Sequence, residues 1–186
     1  MSTKKAAPRI RVLSVLLGLT LCLTGCSGGS GVSSTNEDAY SETLYANRVT
    51  IFSDTAAVET LLAQMGISDR MGTYTIEANS SEQPYTLTLH FAQTPKDSKV
   101  FADQFEYYAA LLLALVDNCG LVRGIYPSGS DTRSAEWTTQ QLNDRLNVNI
   151  VRCGKSAEGV ATLLDTIHST HAGNKNFAVF FEEQYG

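Results

Sequence analysis

The chain has 186 residues, 43% of them apolar and 18% charged, enough for one domain with a sizeable core. Four of its fourteen basic residues and none of its nineteen acidic ones precede residue 26, so the remainder carries ten basic against nineteen acidic groups, a formal −9. An acidic body of this kind argues against nucleic acid as a partner, and against binding anionic lipid through the protein's own surface.

Lys4, Lys5, Arg9 and Arg11 form a basic start, and an apolar run follows up to Leu23. That run is too short to span a hydrocarbon core of about 30 Å, which takes roughly 20 helical residues, but it suits the h-region of a secretory leader. Leu23-Thr24-Gly25-Cys26 then reads as a lipobox. It predicts a signal peptide over 1–25, cleavage after Gly25 and a diacylglyceryl thioether on Cys26. The thiol is the nucleophile that takes the lipid, and the small Gly25 leaves the bond open to a peptidase. Two acyl chains anchor a protein stably where one does not. The chain is therefore expected outside the cytoplasm, lipid-anchored at the cell membrane.

Residues 27–38 are rich in Ser and Gly with little to bury, and read as a flexible spacer. The expected organisation is a lipidated Cys26 with its spacer over 26–43, and one folded domain over 44–186. Residues 44–52 suggest a first strand. Ser53 or Asp54 can cap a helix with Val58, Leu61, Leu62 and Met65 on one face, ended by Gly66. Residues 73–78 read as a strand. Tyr85, Leu87, Leu89 and Phe91 alternate with polar residues, which predicts a half-buried strand in a hairpin with the one before. Asp97 or Ser98 opens the largest helix, whose stripe runs through Phe101, Phe105, Tyr108, Leu112 and Leu115. Apolar residues are nearly continuous from Tyr107 to Val116, as in a core helix covered on most sides.

Gly120 is the expected end of that helix, residues 121–126 the next strand, and residues 127–130 a surface loop. Thr138 with Gln141 makes a capping box, with Trp137 and Leu142 as its apolar staple. Residues 148–151 suggest another short strand. Ser156 can cap a last helix with Val160, Leu163, Leu164 and Ile167 on one face, and residues 177–181 form a final apolar strand or docking tail. The fold class is α+β: a β-α-β-β-α-β core, a mostly antiparallel sheet with helices on one face, plus C-terminal helices.

Cys22 leaves with the leader, which leaves Cys119 and Cys153 as an even pair in an exported protein. They either form a disulfide closing a loop of about 35 residues, worth roughly 3–4 kcal/mol, or remain two buried thiols. With His168 and His171 they compose a nominal Cys2His2 set, but the spacing fits no zinc finger or ribbon, so no metal is expected. His90 falls on the polar face of its strand. Gly154-Lys155-Ser156 resembles the end of a phosphate loop, yet Asn149 stands where that loop needs glycine. The chain after Cys26 contains no G-x-S-x-G, no H-E-x-x-H and no S-x-x-K. Asp117, Arg123, Asp131 and Arg133 are polar groups near one end of the expected sheet, with no spacing for acid–base work. The sequence names no catalytic residue and no cofactor.

Residues 47–150 resemble a bacterial domain family of unknown function. The likeness is carried by Pro84-Tyr85-Thr86-Leu87-Thr88-Leu89, by Tyr108-Ala109-Ala110-Leu111-Leu112-Leu113-Ala114-Leu115-Val116-Asp117-Asn118 and by Glu136-Trp137-Thr138. That family occurs on the outward-facing C-terminal part of membrane metalloproteases related to the β-lactam sensor-transducers, and in lipoproteins of mainly Gram-positive bacteria. The resemblance implies a sensory or ligand-binding role on the outer face of the cytoplasmic membrane, and it brings no catalytic residue with it.

Three functions are then expected in order. The first is a non-enzymatic lipoprotein module, held to the membrane by its lipid, that binds an envelope protein, a peptide or a small ligand. The second is an envelope-acting hydrolase whose site is invisible in one dimension. The third is a structural lipoprotein without a ligand.

Overall fold

The computed structural model describes residues 34–175, 177 and 180. The leader, Cys26 and the spacer up to residue 33 lie outside the described residues. Seven helices and a four-stranded sheet make up the described part, an α+β fold.

The chain enters through α1 (Ser34–Ala46), α2 (Thr55–Gln64) and α3 (Ile67–Met71). Two expectations change here. Residues 34–43, assigned to the spacer, are helical, and residues 44–52 form no strand. Tyr40 and Leu44 stand one turn apart on α1 and pack into the core, Leu44 without any exposure, so helical spacing governs this stretch. Only Val49 keeps strand character. Its N–H donates to the Leu115 carbonyl at 2.9 Å, and Asp117 N–H donates to the Val49 carbonyl at 2.9 Å, a single bridge. α2 is as expected: the Asp54 carboxylate accepts from Ala57 N–H, Val58, Leu61 and Leu62 are buried, and Gly66 turns the chain at φ +64°.

β1 (Tyr74–Asn79) and β2 (Tyr85–Phe91) form the expected antiparallel hairpin. α4 (Ser98–Leu115) then crosses to β3 (Cys119–Ser128), which lies parallel to β2. β4 (Asp131–Thr138) returns antiparallel to β3, so the strand order is β1-β2-β3-β4 with one parallel pair at the centre. The helices pack against the face carrying Leu87, Leu89 and Val122. Thr75, Glu77, His90, Arg123 and Glu136 lie on the other face.

α4 is the axis of the fold, with every residue from Phe105 to Leu115 buried. Its helix stops before Gly120. Val116 already has an extended backbone, and Asn118 makes the left-handed turn at φ 65°, so Gly120 falls inside β3. The anticipated loop at residues 127–130 is a tight hairpin at Gly129-Ser130, and β4 beyond it is a strand additional to the expected elements.

α5 (Thr139–Leu146) opens on the Thr138–Gln141 capping box. Residues 148–151 are not a strand. The Asn149 side chain accepts from Arg152 N–H and starts the short α6 (Ile150–Cys153). α7 (Ala157–Thr170) is capped by Ser156 and buries Val160, Leu163, Leu164 and Ile167. Gly154 lets this helical layer approach α4: a Cβ there would sit 1.8 Å from the Ala114 carbonyl oxygen, so no other residue fits. Phe177 and Phe180 dock on the Tyr107 ring at 6.5 and 5.3 Å.

These contacts fix the directions of the helices. Tyr40 meets Tyr107, hydroxyl to hydroxyl at 3.3 Å, and Val49 meets Val116, so α1 runs parallel to α4. Gly154 meets Ala114 and His171 meets Glu106, so α7 runs antiparallel to it. One end of the domain therefore gathers the start of α1, the start of α4 and the end of α7.

Candidate functional site

At that same end, a cleft of about 560 Å³ opens between α3, the β2–α4 loop and the first turns of α4. Each wall has a local cause. Gly66 breaks α2, so α3 starts in a new direction, and Gly72 ends it at φ 90°. Ala92 N–H donates to the Thr73 carbonyl at 2.9 Å and closes the sheet edge. Asp97 then accepts from Lys99 N–H at 2.7 Å and Val100 N–H at 3.2 Å, which fixes where α4 begins.

Phe101 supplies an apolar floor. It is 5% exposed and held by Phe91 at 5.2 Å, Phe105 at 5.8 Å and Tyr126 at 4.4 Å. Among the described residues, four charged ones line the cleft: Asp69, Arg70, Lys96 and Asp97. The Asp97 carboxylate is engaged by the helix cap. Arg70 donates to the Phe180 carbonyl at 3.4 Å and lies 5.2 Å over the Phe180 ring. Asp69 and Lys96 are exposed at the rim. The site thus offers both signs of charge above an aromatic floor. Its volume suits a small molecule, and it lies outside the carboxyl end of β2, one of the two parallel strands, where open α/β sheets bind ligands.

A second polar cluster is buried. Glu106 on α4 is 2% exposed, and its Oε1 accepts from Arg145 Nε and faces His171 Nε2 at 3.3 Å. His171 stacks on Phe177 at 4.2 Å, and Arg145 lies 5.7 Å over the Trp137 ring. Asn174 donates to Asp103 at 2.9 Å one turn away. These bonds fasten α5 and the segment after α7 to α4. The carboxylate is enclosed, so the cluster is a fastening and not a reaction centre.

The residues singled out by sequence do not converge. Asp117 stands at the opposite end, paired with Arg48 at 3.5 Å and Lys155 at 3.1 Å. Arg123 pairs with Glu136 at 2.8 Å on the open sheet face, beside a concavity also lined by Arg133. Asp131 begins β4 at the hairpin. His90 pairs with Glu77 at 3.0 Å on the same open face. In Gly154-Lys155-Ser156, the glycine packs on α4, the lysine pairs with Asp117 and the serine caps α7. His168 lies in the last turn of α7 and His171 faces Glu106, so the nominal Cys2His2 set is not assembled. Among the described residues, no group of His, Cys, Asp or Glu is placed to hold a metal ion.

Cys119 and Cys153 are free thiols in this structure, not the disulfide that was one of the two expectations. Cys119 is buried and donates to the Leu121 carbonyl at 3.5 Å. Burial pushes its pKa up to about 12 and raises that of the half-buried Cys153 as well. Native iodoacetamide labelling at pH 8 is expected to modify Cys153 slowly and Cys119 only after unfolding. Denaturation without reductant should release both thiols, and a Cys119–Cys153 linked peptide in the mass spectrum would contradict this arrangement.

Neither the curated proteins nor the solved structures contain a match to the chain. A family model does match, over residues 44–137, from the last turn of α1 to the next-to-last residue of β4. That span is half of the chain and includes the sheet except Thr138, α4 and the described residues that line the cleft, and it leaves out α5 to α7. The chain belongs to the family described as Domain of unknown function (DUF4825).

Proposed function

We propose that the protein is an extracytoplasmic lipoprotein, anchored through Cys26, whose domain binds a ligand in the cleft at the start of α4. The observation that carries the binding role is the cleft itself. An aromatic floor gives affinity by removing apolar surface from water, and charges of both signs at the rim give orientation. The lipobox sequence supports the anchor. Among the described residues no helix is long and apolar enough to cross a membrane.

Labelled palmitate is expected to enter the full-length protein in bacterial cells and to be lost, with membrane partitioning, in Cys26→Ala. A thermal-shift screen of the lipoprotein against peptides and envelope-derived small molecules should give stabilisation that Phe101→Ala abolishes. Hits that survive Phe101→Ala would place binding elsewhere, and turnover of an envelope substrate would favour a hydrolase.

A further inference from the structure

β4 ends the sheet on one side, and its outer edge is open. The turn at Gly129-Ser130 has two residues, and the pair flanking such a turn, Ser128 and Asp131, is a hydrogen-bonded one. Bonding alternates from there. Asp131, Arg133, Ala135 and Trp137 bond to β3, while Thr132, Ser134 and Glu136 turn their N–H and C=O groups away from it. Thr138 is next in the outward row, and its N–H donates to the Gln141 side chain at 2.9 Å. The other three have no backbone partner on that side among the described residues.

Proteins blunt an exposed edge with proline, a bulge or a very short strand. β4 has none of these: it runs for eight residues without proline, in unbroken register with β3. Asp131, Thr132, Arg133, Ser134 and Glu136 are exposed. β1, at the other edge, has six residues, and α2 packs against it.

The side chains along the edge state what it accepts. Asp131 and Arg133 share one face of the strand, two residues apart, and neither has an ion pair among the described residues. Glu136 is already paired with Arg123 at 2.8 Å. On the other face lies a concavity of about 340 Å³, lined in part by Thr132, Ser134 and the half-buried Ile125. An added strand alternates in the same way, one face meeting the two charges and the other meeting Ile125. In an antiparallel strand, the residue opposite Arg133 comes two places before the residue opposite Asp131. The matching order is therefore an acid, an apolar residue and a base, with a further apolar residue before the acid.

We propose that the β4 edge is a docking site for an extended segment of another protein, which joins the sheet antiparallel and carries an acid two positions before a base. Main-chain bonds at Thr132, Ser134 and Glu136 supply affinity, and the charges and the concavity select the partner. The same charges bar indiscriminate pairing, because a strand of the opposite order sets like charges against each other. A second copy of the chain fits less well. Asp131-Thr132-Arg133 has the required order, but the register that matches it sets only those three residues of each β4 opposite one another. The edge does not use the cleft, and the two readings stand or fall separately.

The probe is a fluorescent peptide, Val-Glu-Val-Lys-Val flanked by threonines and blocked at both ends, titrated with the full lipoprotein in detergent micelles. Saturable binding is expected by anisotropy. The peptide with glutamate and lysine exchanged should bind about tenfold more weakly. N-methylation of the two valines beside the glutamate, whose amides face β4, should abolish binding. Ser134→Pro removes an outward N–H and spares the bonds to β3, so it should abolish binding while the melting temperature holds. The double variant Asp131→Arg, Arg133→Asp exchanges the charges in place and should reverse the preference between the two peptides. It decides the question even where Ser134→Pro does not fold. Absence of binding, an affinity unchanged by N-methylation, or no reversal in the double variant overturns the proposal. A dimer in sedimentation that Ser134→Pro dissolves would assign the edge to a second copy, and overturns it as well.

Discussion

Arg145→Met is expected to destabilise the domain by about 3 kcal/mol, the lower end of the cost of stripping the partner from a buried charge. Glu106 is 2% exposed and Arg145 supplies its cation, whereas the other contact is the His171 imidazole. Methionine keeps an unbranched apolar stem beside Trp137, so the substitution removes charge and donor while preserving much of the packing. Arg145 is itself partly exposed, and water can reach the vacated place, which holds the loss toward the lower bound. For a domain of this size 3 kcal/mol lowers the melting temperature by about 6–12 °C. The informative comparison is the double variant. Adding Glu106→Met removes the unpaired carboxylate and should recover much of the loss, because apolar replacement of a buried pair is often neutral. Urea denaturation of the four proteins measures the coupling. Additive losses would mean that the two residues act independently and that the fastening of α5 to α4 is apolar alone.

The same pair shows where sequence reading reaches and where it stops. α2, α4 and α7 were legible because each combines a local cap with a 3.6-residue apolar stripe. Ser156 caps α7 as expected, and Asp54 and Asp97, each one of two candidates, cap α2 and α4. The β1–β2 hairpin was legible from strict alternation. β4 was not, because it is an edge strand that turns only Ala135 and Trp137 toward the core and exposes Thr132, Arg133, Ser134 and Glu136. The stretch 44–52 failed for the opposite reason: Leu44 and Val49 are both buried, and nothing in one dimension says that a helix ends between them.

Glu106 gave the one signal of the buried cluster, an acid set among apolar residues on the core helix. Its partners lie 39 and 65 residues away, so only the fold could supply them. The cleft gave no signal at all. It joins residues 69–72 to residues 93–104 through the ending of α3 and the turn into α4, and its polar side chains follow no motif.

Above pH 9 the domain is expected to lose stability steeply, with Cys119 as the first cause. Burial raises its pKa from the ordinary 9.0 to about 12. Between those values the unfolded thiol has released its proton while the folded one keeps it. The unfolded state therefore binds fewer protons, and the free energy of unfolding falls as pH rises, by about 1.4 kcal/mol per unit. By pH 12 the accumulated loss from this one group approaches about 4 kcal/mol on the same relation, a large part of the stability of most domains. The buried Tyr108 adds to the slope from about pH 10, since burial raises its pKa as well. Its hydroxyl has no hydrogen-bond partner among the described residues, so Tyr108→Phe should cost little at pH 7 and serves there as the control for packing. Urea denaturation at pH 7, 9, 10 and 11 supplies the slopes. Cys119→Ala lowers stability at pH 7 by removing a core side chain, yet its curve should run flatter than the wild type from pH 9 upward. Tyr108→Phe should flatten only the portion above pH 10. Curves that stay parallel to the wild type in both variants would move the alkaline loss from these two buried groups to the exposed lysines.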